Sequence, residues 1–328
     1  MSSCLVVGAG ISGLLAAREL VTAGWRVVVL EKGSGAGGRM ATRRLESGTF
    51  DHGAQFFTVR TERFGGLVRG WLESGHVVEW SRGFADPENR PQEDGHPRYS
   101  GAGGMSTVPG HLARGLDVRT GERVVTARLR NDYWEVGTES GSQLTAEALL
   151  LTAPVPQSLA LFSEEPALPE EARRRLEVVT YSPCLALMAL LEGPTGVPEP
   201  GGVQVKGEPL DWIGDNRRKG ISRAPGVTIH AGPEWSRAHF DADETGVAAS
   251  LLAFAGEQLR TDLTARVLAT SLARWRYSWV TRPFPEPCLV ALPEPPLVFA
   301  GDAFGQSKVE GAALSGLAAA DHLLGRPA

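Results

Sequence analysis

The hydrophobic positions open with a short apolar run, Cys4-Leu5-Val6-Val7, which breaks into Gly8-Ala9-Gly10-Ile11-Ser12-Gly13. Leu14, Leu15, Ala16, Ala17 and Leu20 then follow a helical pattern that ends near Ala23-Gly24. A second buried run, Val27-Val28-Val29-Leu30, closes on Glu31. The order predicted is strand, glycine turn, helix, strand, acid. Further on, Phe64, Leu67, Val68, Trp71 and Leu72 recur at helix spacing and predict a helix over residues 60–80, with Trp71 in the core. Residues 85–104 are a polar, Pro/Gly-rich connection, and residues 106–112 restart a helix. Short alternating segments at 117–120, 123–125 and 134–136 predict a small antiparallel meander. Residues 148–152 form a buried strand that Pro154 and Pro156 stop.

From about residue 160 to 285 the pattern changes to longer strands at 185–191 and 227–231, helices at 170–176 and 246–260, and a Pro-rich join at 193–202. The opening style then returns: Leu297-Val298-Phe299-Ala300 is a buried strand, Gly301-Asp302 a turn, and residues 310–324 an Ala/Gly-rich helix. The fold predicted is α/β. A discontinuous Rossmann-type domain takes 1–75, 100–160 and 286–328, and an inserted α+β domain takes 76–99 and 161–285.

Composition narrows the class. A chain of 328 residues, 42% hydrophobic and 22% charged, is ordinary for a globular protein, and a net charge of -5 argues against nucleic acid as partner. Three scattered cysteines suggest neither a disulfide framework nor a metal site. The apolar start lacks a basic leader and no run of about twenty apolar residues occurs. The expectation is a reduced, cytoplasmic protein without a membrane partner.

The opening unit has the layout of a dinucleotide site. Gly8 permits the tight turn, Gly10 lets backbone approach a pyrophosphate, and Gly13 lets helix and strand pack closely. Free N–H groups at the helix start hold phosphate, and Glu31 is placed to accept from an adenosine ribose. The glycine-dense stretch 33–38 leads to Arg39, whose guanidinium can neutralise a pyrophosphate. At Gly53-Ala54 the chain can pass close to a flat ring, because no side chain obstructs it. Asp302 offers a carboxylate to a ribityl hydroxyl, and the helix after Lys308 aims its N-terminus at a flavin ring.

These residues, together with Gly37-Gly38-Arg39-Met40, the run from Asp51 to Phe56, Pro154-Val155-Pro156 and Gly301-Asp302, resemble the flavin-containing amine oxidase superfamily. Looser matches at residues 179–182, 213–216, 229–230 and 274–278 resemble its renalase-like members, and the likeness spans essentially the whole chain. The resemblance implies non-covalent FAD and an amine oxidase-like two-domain fold. Gly8, Gly10, Gly13, Glu31, Arg39, Gln55, Val124 and Asp302 map onto FAD-contact positions, Val124 by its backbone to adenine. Ile11, Ser12, Lys32, Gly38, Met40, Gly53, Ala54, Phe56, Ala153 and Val309 complete the implied cofactor set. Phe56 stands where relatives often carry Tyr. The implied reaction is oxidation of 2- and 6-dihydro isomers of NAD(P)H, with O2 as acceptor and hydrogen peroxide as product. An amine oxidase and a non-catalytic flavin binder are the competing readings.

Hydride transfer needs a positioned donor and a dry pocket more than acid–base groups. The expected pocket wall comprises His230, Trp235 and residues 275–279, with Trp275 stacking and Arg276 or His230 binding an amide or phosphate. His230 also reads as a satisfied structural histidine, and strand alternation lets only one face of 275–279 meet substrate. Gln55 either lines the site or orders its loop. Lys308 either assists O2 reduction near the flavin or is a solvated loop lysine. Arg217-Arg218-Lys219 reads as solvated surface that could attract a diphosphate, and no metal site is expected.

Overall fold

The opening unit forms in the predicted order: β1 (Ser3–Val7), α1 (Ile11–Thr22) and β2 (Arg26–Glu31) of a computed structural model that describes residues 2–163 and 168–326. A side chain at Gly13 would place its Cβ 2.1 Å from the Gly8 carbonyl oxygen, so only glycine lets α1 start this close to the end of β1. The hairpin β3 (Thr42–Leu45) and β4 (Gly48–Asp51) follows.

Next comes α2 (Glu62–Glu73), whose N-cap Thr61 hydroxyl accepts from the Phe64 N–H. It stops short of the predicted residue 80. Gly75, at φ 71°, donates to Leu72 O, and His76 donates to Trp71 O, which closes the helix in a Schellman motif. β5 (Val77–Ser81) starts at once and pairs antiparallel with β6 (Arg98–Gly101), inside the stretch expected to be plain connection.

After α3 (Thr107–Ala113), β7 (Asp117–Thr120) joins β2 in parallel and is not part of the meander expected from its alternation. As the exposed edge of a parallel sheet it lacks the continuous apolar run of an inner strand. The meander consists instead of β8 (Val124–Arg130), β9 (Tyr133–Thr138) and β10 (Gln143–Ala146). β11 (Ala148–Leu151), α4 (Val155–Ala160), α5 (Glu170–Glu177) and the long β12 (Thr180–Leu191) follow. Then come β13 (Gly202–Gln204), β14 (Leu210–Asp215), β15 (Gly226–Ala231), α6 (Pro233–Ala238), α7 (Glu244–Leu259) and β16 (Val267–Arg282). The chain closes with β17 (Leu289–Pro293), β18 (Pro296–Phe299) and α8 (Lys308–Leu323).

Two sheets organise these elements. The first runs β17-β18-β11-β1-β2-β7, so both chain ends build it. Alternation along β1 sends Val6 into one core, with Leu14 and Ala313, and Leu5 into another, with Trp134 and Phe299. The second sheet runs β13-β14-β15-β12-β16. On β12, Leu185, Leu187 and Ala189 face Val247, Leu251 and Ala255 of α7, whereas Ala186, Met188 and Leu190 pack with Phe50 of β4. That second face turns the sheet toward the loop after β4, where the candidate site lies. Among the described residues no helix is long and apolar enough to cross a membrane.

Candidate active site

The first half of the site gathers around the turn after β1. Gly37 donates to Ala9 O at 2.8 Å, and a Cβ at Gly38 would stand 3.9 Å from the Gly10 Cα. A Cβ at Gly8 would stand 3.6 Å from the Ala153 nitrogen, so the β11 exit abuts the same turn. Glu31 is buried and accepts from Ala9 N (2.9 Å) and Gly33 N (2.7 Å). Gly121 and Glu122 donate to the carbonyls of Gly33 and Glu31, which sets Val124 beside that acid. Lys32 is exposed, with its ammonium on Gln157 Oε1 at 3.1 Å, and burial of part of its stem lowers its pKa. Ile11, Met40 and Val309 are buried around the turn.

Arg39 and Asp302 meet across this half. The guanidinium donates to both carboxylate oxygens, at 2.5 and 2.6 Å, and to Tyr277 O of β16 at 3.2 Å. Burial works against the Arg39 charge; Asp302 outweighs it and the pKa rises. The Tyr181 hydroxyl accepts from Val155 N at 3.1 Å, and burial with nearby Asp302 pushes its pKa up.

The second half hangs on the loop from Asp51 to Phe56. Ala54 N donates to Arg39 O at 2.8 Å, and a Cβ at Gly53 would sit 2.1 Å from that oxygen. The small residue expected to clear a ring is therefore required first by the Arg39 backbone. Gln55 is buried; its amide donates to Asp51 O at 2.7 Å and lies 3.4 Å from His230 Nε2, while Oε1 has no partner. His52 stacks on Trp275 with centroids 5.3 Å apart, and the Trp275 indole donates to His52 O at 2.8 Å. Burial pushes both His52 and His230 down to about 4, so both rings are neutral at pH 7.

Lys219 corrects the surface reading. Its ammonium is buried and donates to Asp51 Oδ2 (2.6 Å) and Gln55 O (2.5 Å), and it lies 4.9 Å from the Trp80 ring centre. Burial pushes the ammonium's pKa down, and Asp51 opposes the shift. Arg217 and Arg218 remain exposed as expected. Asp51 also accepts from Thr42 Oγ1 and Met105 N, so one carboxylate ties β3 and the α3 approach to the second sheet.

Other expectations move. Arg276 leaves the pocket: it lies over the Phe240 ring at 4.2 Å and near Asp241, and Arg274 donates to Phe240 O on the same side. Trp235 shares that side, stacked on His239. Phe56 packs against Phe84 and Trp212 in an aromatic cluster. Lys308 is exposed, its ammonium 5.6 Å from the Trp279 ring centre. A surface cleft of about 320 Å³ between the β13–β14 turn and the end of α7 contains none of the predicted site residues. Among the described residues no cluster could hold a metal ion.

A dinucleotide fits the first half. Ser12 Oγ is buried without a partner in the first turn of α1, whose N-cap Gly10 supplies no side-chain bond, and the space where a Gly10 Cβ would project is open. Residues 6–71 match a profile for NAD(P)-binding Rossmann-like domains, and residues 64–324 match one for flavin containing amine oxidoreductases. The chain belongs to the flavin-containing amine oxidoreductase family. It is an FAD-dependent oxidoreductase with a Rossmann-type domain and an amine oxidase-like domain. It is similar to renalase of Mus musculus, at 29% identity over 97% of each chain. An L-amino acid dehydrogenase of Synechocystis sp. is 41% identical over 66 residues, 20% of this chain and 14% of that one. The fold superposes on putrescine oxidase bound to putrescine with a TM-score of 0.76 at 16% identity, over 99% of both chains.

Nothing in the sequence pattern separated Lys219 from its two arginine neighbours. His52 was readable only as part of the motif around Gly53, and its stacking on Trp275 arises from a pairing of distant segments.

Proposed function

We propose that this protein oxidises the 2- and 6-dihydro isomers of NAD(P)H, in the manner of renalase, with FAD held non-covalently. The observation that carries this reading is the similarity to renalase along the whole of both chains. The bound flavin supplies the two-electron acceptor, so that one dihydronicotinamide, one O2 and one proton give one NAD(P)+ and one H2O2. The α1 N-terminus and Arg39 bind the diphosphate, Glu31 binds the adenosine ribose, and Asp302 takes a ribityl hydroxyl. The N-terminus of α8 offsets negative charge gained by the ring system.

Neutral His52 and His230 with Trp275 offer uncharged flat surfaces for a dihydropyridine, and the free Gln55 Oε1 orients a donor group such as its amide N–H. No proton acceptor is required for hydride departure. Non-covalent retention is supported by the thiols: burial raises Cys4 and Cys184 to about 12 and raises Cys288, so none is poised as a thiolate.

Anaerobic titration of the yellow holoenzyme tests the reading. Adding a 2- or 6-dihydro isomer is expected to bleach the flavin absorbance and yield NAD(P)+, and admitting air to restore colour with one peroxide per isomer. Bleaching by primary or secondary amines alone would overturn the proposal and make the protein an amine oxidase.

A further inference from the structure

Trp275 and Trp279 of β16 pair with Cys184 and Ser182, alternate positions of β12, and so share one face of the sheet, while the residues between them, Tyr277 included, lie in a register irregularity. They grade from inside to outside. Trp275 stacks on His52 beside the flavin-facing loop. Tyr277 accepts Arg39 at its carbonyl and packs its ring on Tyr181. Trp279 is 53% exposed, and the Lys308 ammonium lies 5.6 Å from its centre. Lys308 opens α8, six residues past Asp302, and has no carboxylate partner among the described residues. The pair is thus assembled from two distant chain segments that flank the Arg39–Asp302 contact.

We propose that Trp279 and Lys308 form a subsite for the half of a pyridine dinucleotide that does not react. This rests on the function proposed above: a substrate whose nicotinamide lies against Trp275 and Gln55 must lead its ribose and diphosphate outward. Trp279, on the same face of β16 four positions beyond Trp275, presents an exposed aromatic ring past the inner pocket. Adenine stacks on the exposed side of the Trp279 indole, and the unpaired ammonium of Lys308 meets the diphosphate. Stacking on an indole is indifferent to hydrogen-bond pattern, and a lysine meets phosphate as a point charge. The subsite therefore recognises an adenosine diphosphate moiety and supplies binding, not chemistry.

The test uses FAD-loaded holoenzyme and calorimetric titration with ADP-ribose, which lacks the nicotinamide, and separately with nicotinamide mononucleotide. Trp279→Ala is expected to weaken ADP-ribose about tenfold, and Trp279→Phe to recover most of that loss. Lys308→Gln is expected to weaken ADP-ribose severalfold and flatten its dependence on salt. Affinity for the mononucleotide is expected to stay within about twofold in both Trp279 variants, because stacking at Trp279 belongs to the adenine half alone. ADP-ribose affinity unchanged in both Trp279→Ala and Lys308→Gln, or no binding of ADP-ribose by the unsubstituted holoenzyme, would overturn the proposal. Flavin content per chain, read from absorbance, verifies that each variant is folded and loaded. Failure of the oxidase reading shows elsewhere. A holoenzyme that binds ADP-ribose through Trp279 but is not bleached by the isomers keeps the subsite and loses the reaction.

Discussion

Lys219 is buried because of the turn that carries it. The Asp215 carboxylate accepts from the N–H groups of Arg217 and Arg218, and Lys219 N donates to Asp215 O. This winds the chain so that two arginines point out and the lysine points in. A run of three cations read without that turn looks uniformly solvated, which is why the sequence hid the one that matters. The consequence is a buried ion pair that joins the second sheet to the loop bearing Gln55. Removing one member strands the other. Lys219→Met is expected to destabilise the protein by about 3–5 kcal/mol, because Asp51 is left charged and uncompensated. Urea denaturation followed by tryptophan fluorescence checks this, and a midpoint unchanged from the parent protein would show that Asp51 finds another partner. Asp51→Asn with Lys219→Met is expected to recover part of the loss, since no lone charge remains.

Among the elements, those with a local cause were legible and those with a distant cause were not. The β1–α1–β2 unit follows from apolar runs and glycines alone, and α2 follows from its periodic apolar face. The end of α2 depends on a backbone motif at Gly75, and the place of β7 depends on pairing with a strand nearly ninety residues earlier. In the proposed site, the glycine turn between β1 and α1 was readable for the same reason, whereas the meeting of Arg39 with Asp302 joins the two ends of the chain. The substrate half draws on β4, β15 and β16, so the side to which Arg276 points is decided by register and not by composition.

The close approach of α8 to α1 shows how an element can tune the cofactor site. A Cβ at Gly316 would come 2.1 Å from the Ser12 carbonyl oxygen in the first turn of α1. Gly316→Ala must therefore push α8 away from the phosphate-binding turn, at a typical overpacking cost of about 1–3 kcal/mol. The expected result is weaker retention of flavin during gel filtration together with a lower melting temperature. Gly10→Ala, where a Cβ meets nothing within 4 Å, is expected to impair flavin retention with little change in the melting temperature of the apoprotein. The contrast separates a packing glycine from one that leaves room for the cofactor.

At the scale of the molecule, acid is expected to weaken the packing of the loop after β4 against the second sheet. His52, in the loop after β4, stacks on Trp275 of the second sheet, and His230 of β15 in the same sheet reaches the His52 backbone. Their charged neighbours are Arg43 and Asp51 for His52, and His52 and Lys219 for His230. Burial above all holds both at about 4, below the ordinary imidazole value of 6.5. The unfolded chain therefore takes up protons at these positions before the folded one does. Where the unfolded state binds more protons, stability rises with pH. These two groups thus leave stability whole above about pH 7, erode it as pH falls through about 6.5 toward 4, and add no further slope below that. Urea midpoints measured between pH 7.5 and about pH 4.5 are expected to fall steadily over that window. Replacing His52 with Phe, which keeps a flat ring against Trp275 but cannot take a proton, is expected to flatten the profile. An equally steep profile in that variant would assign the acid sensitivity to His230 or other groups and leave His52 without a part in it.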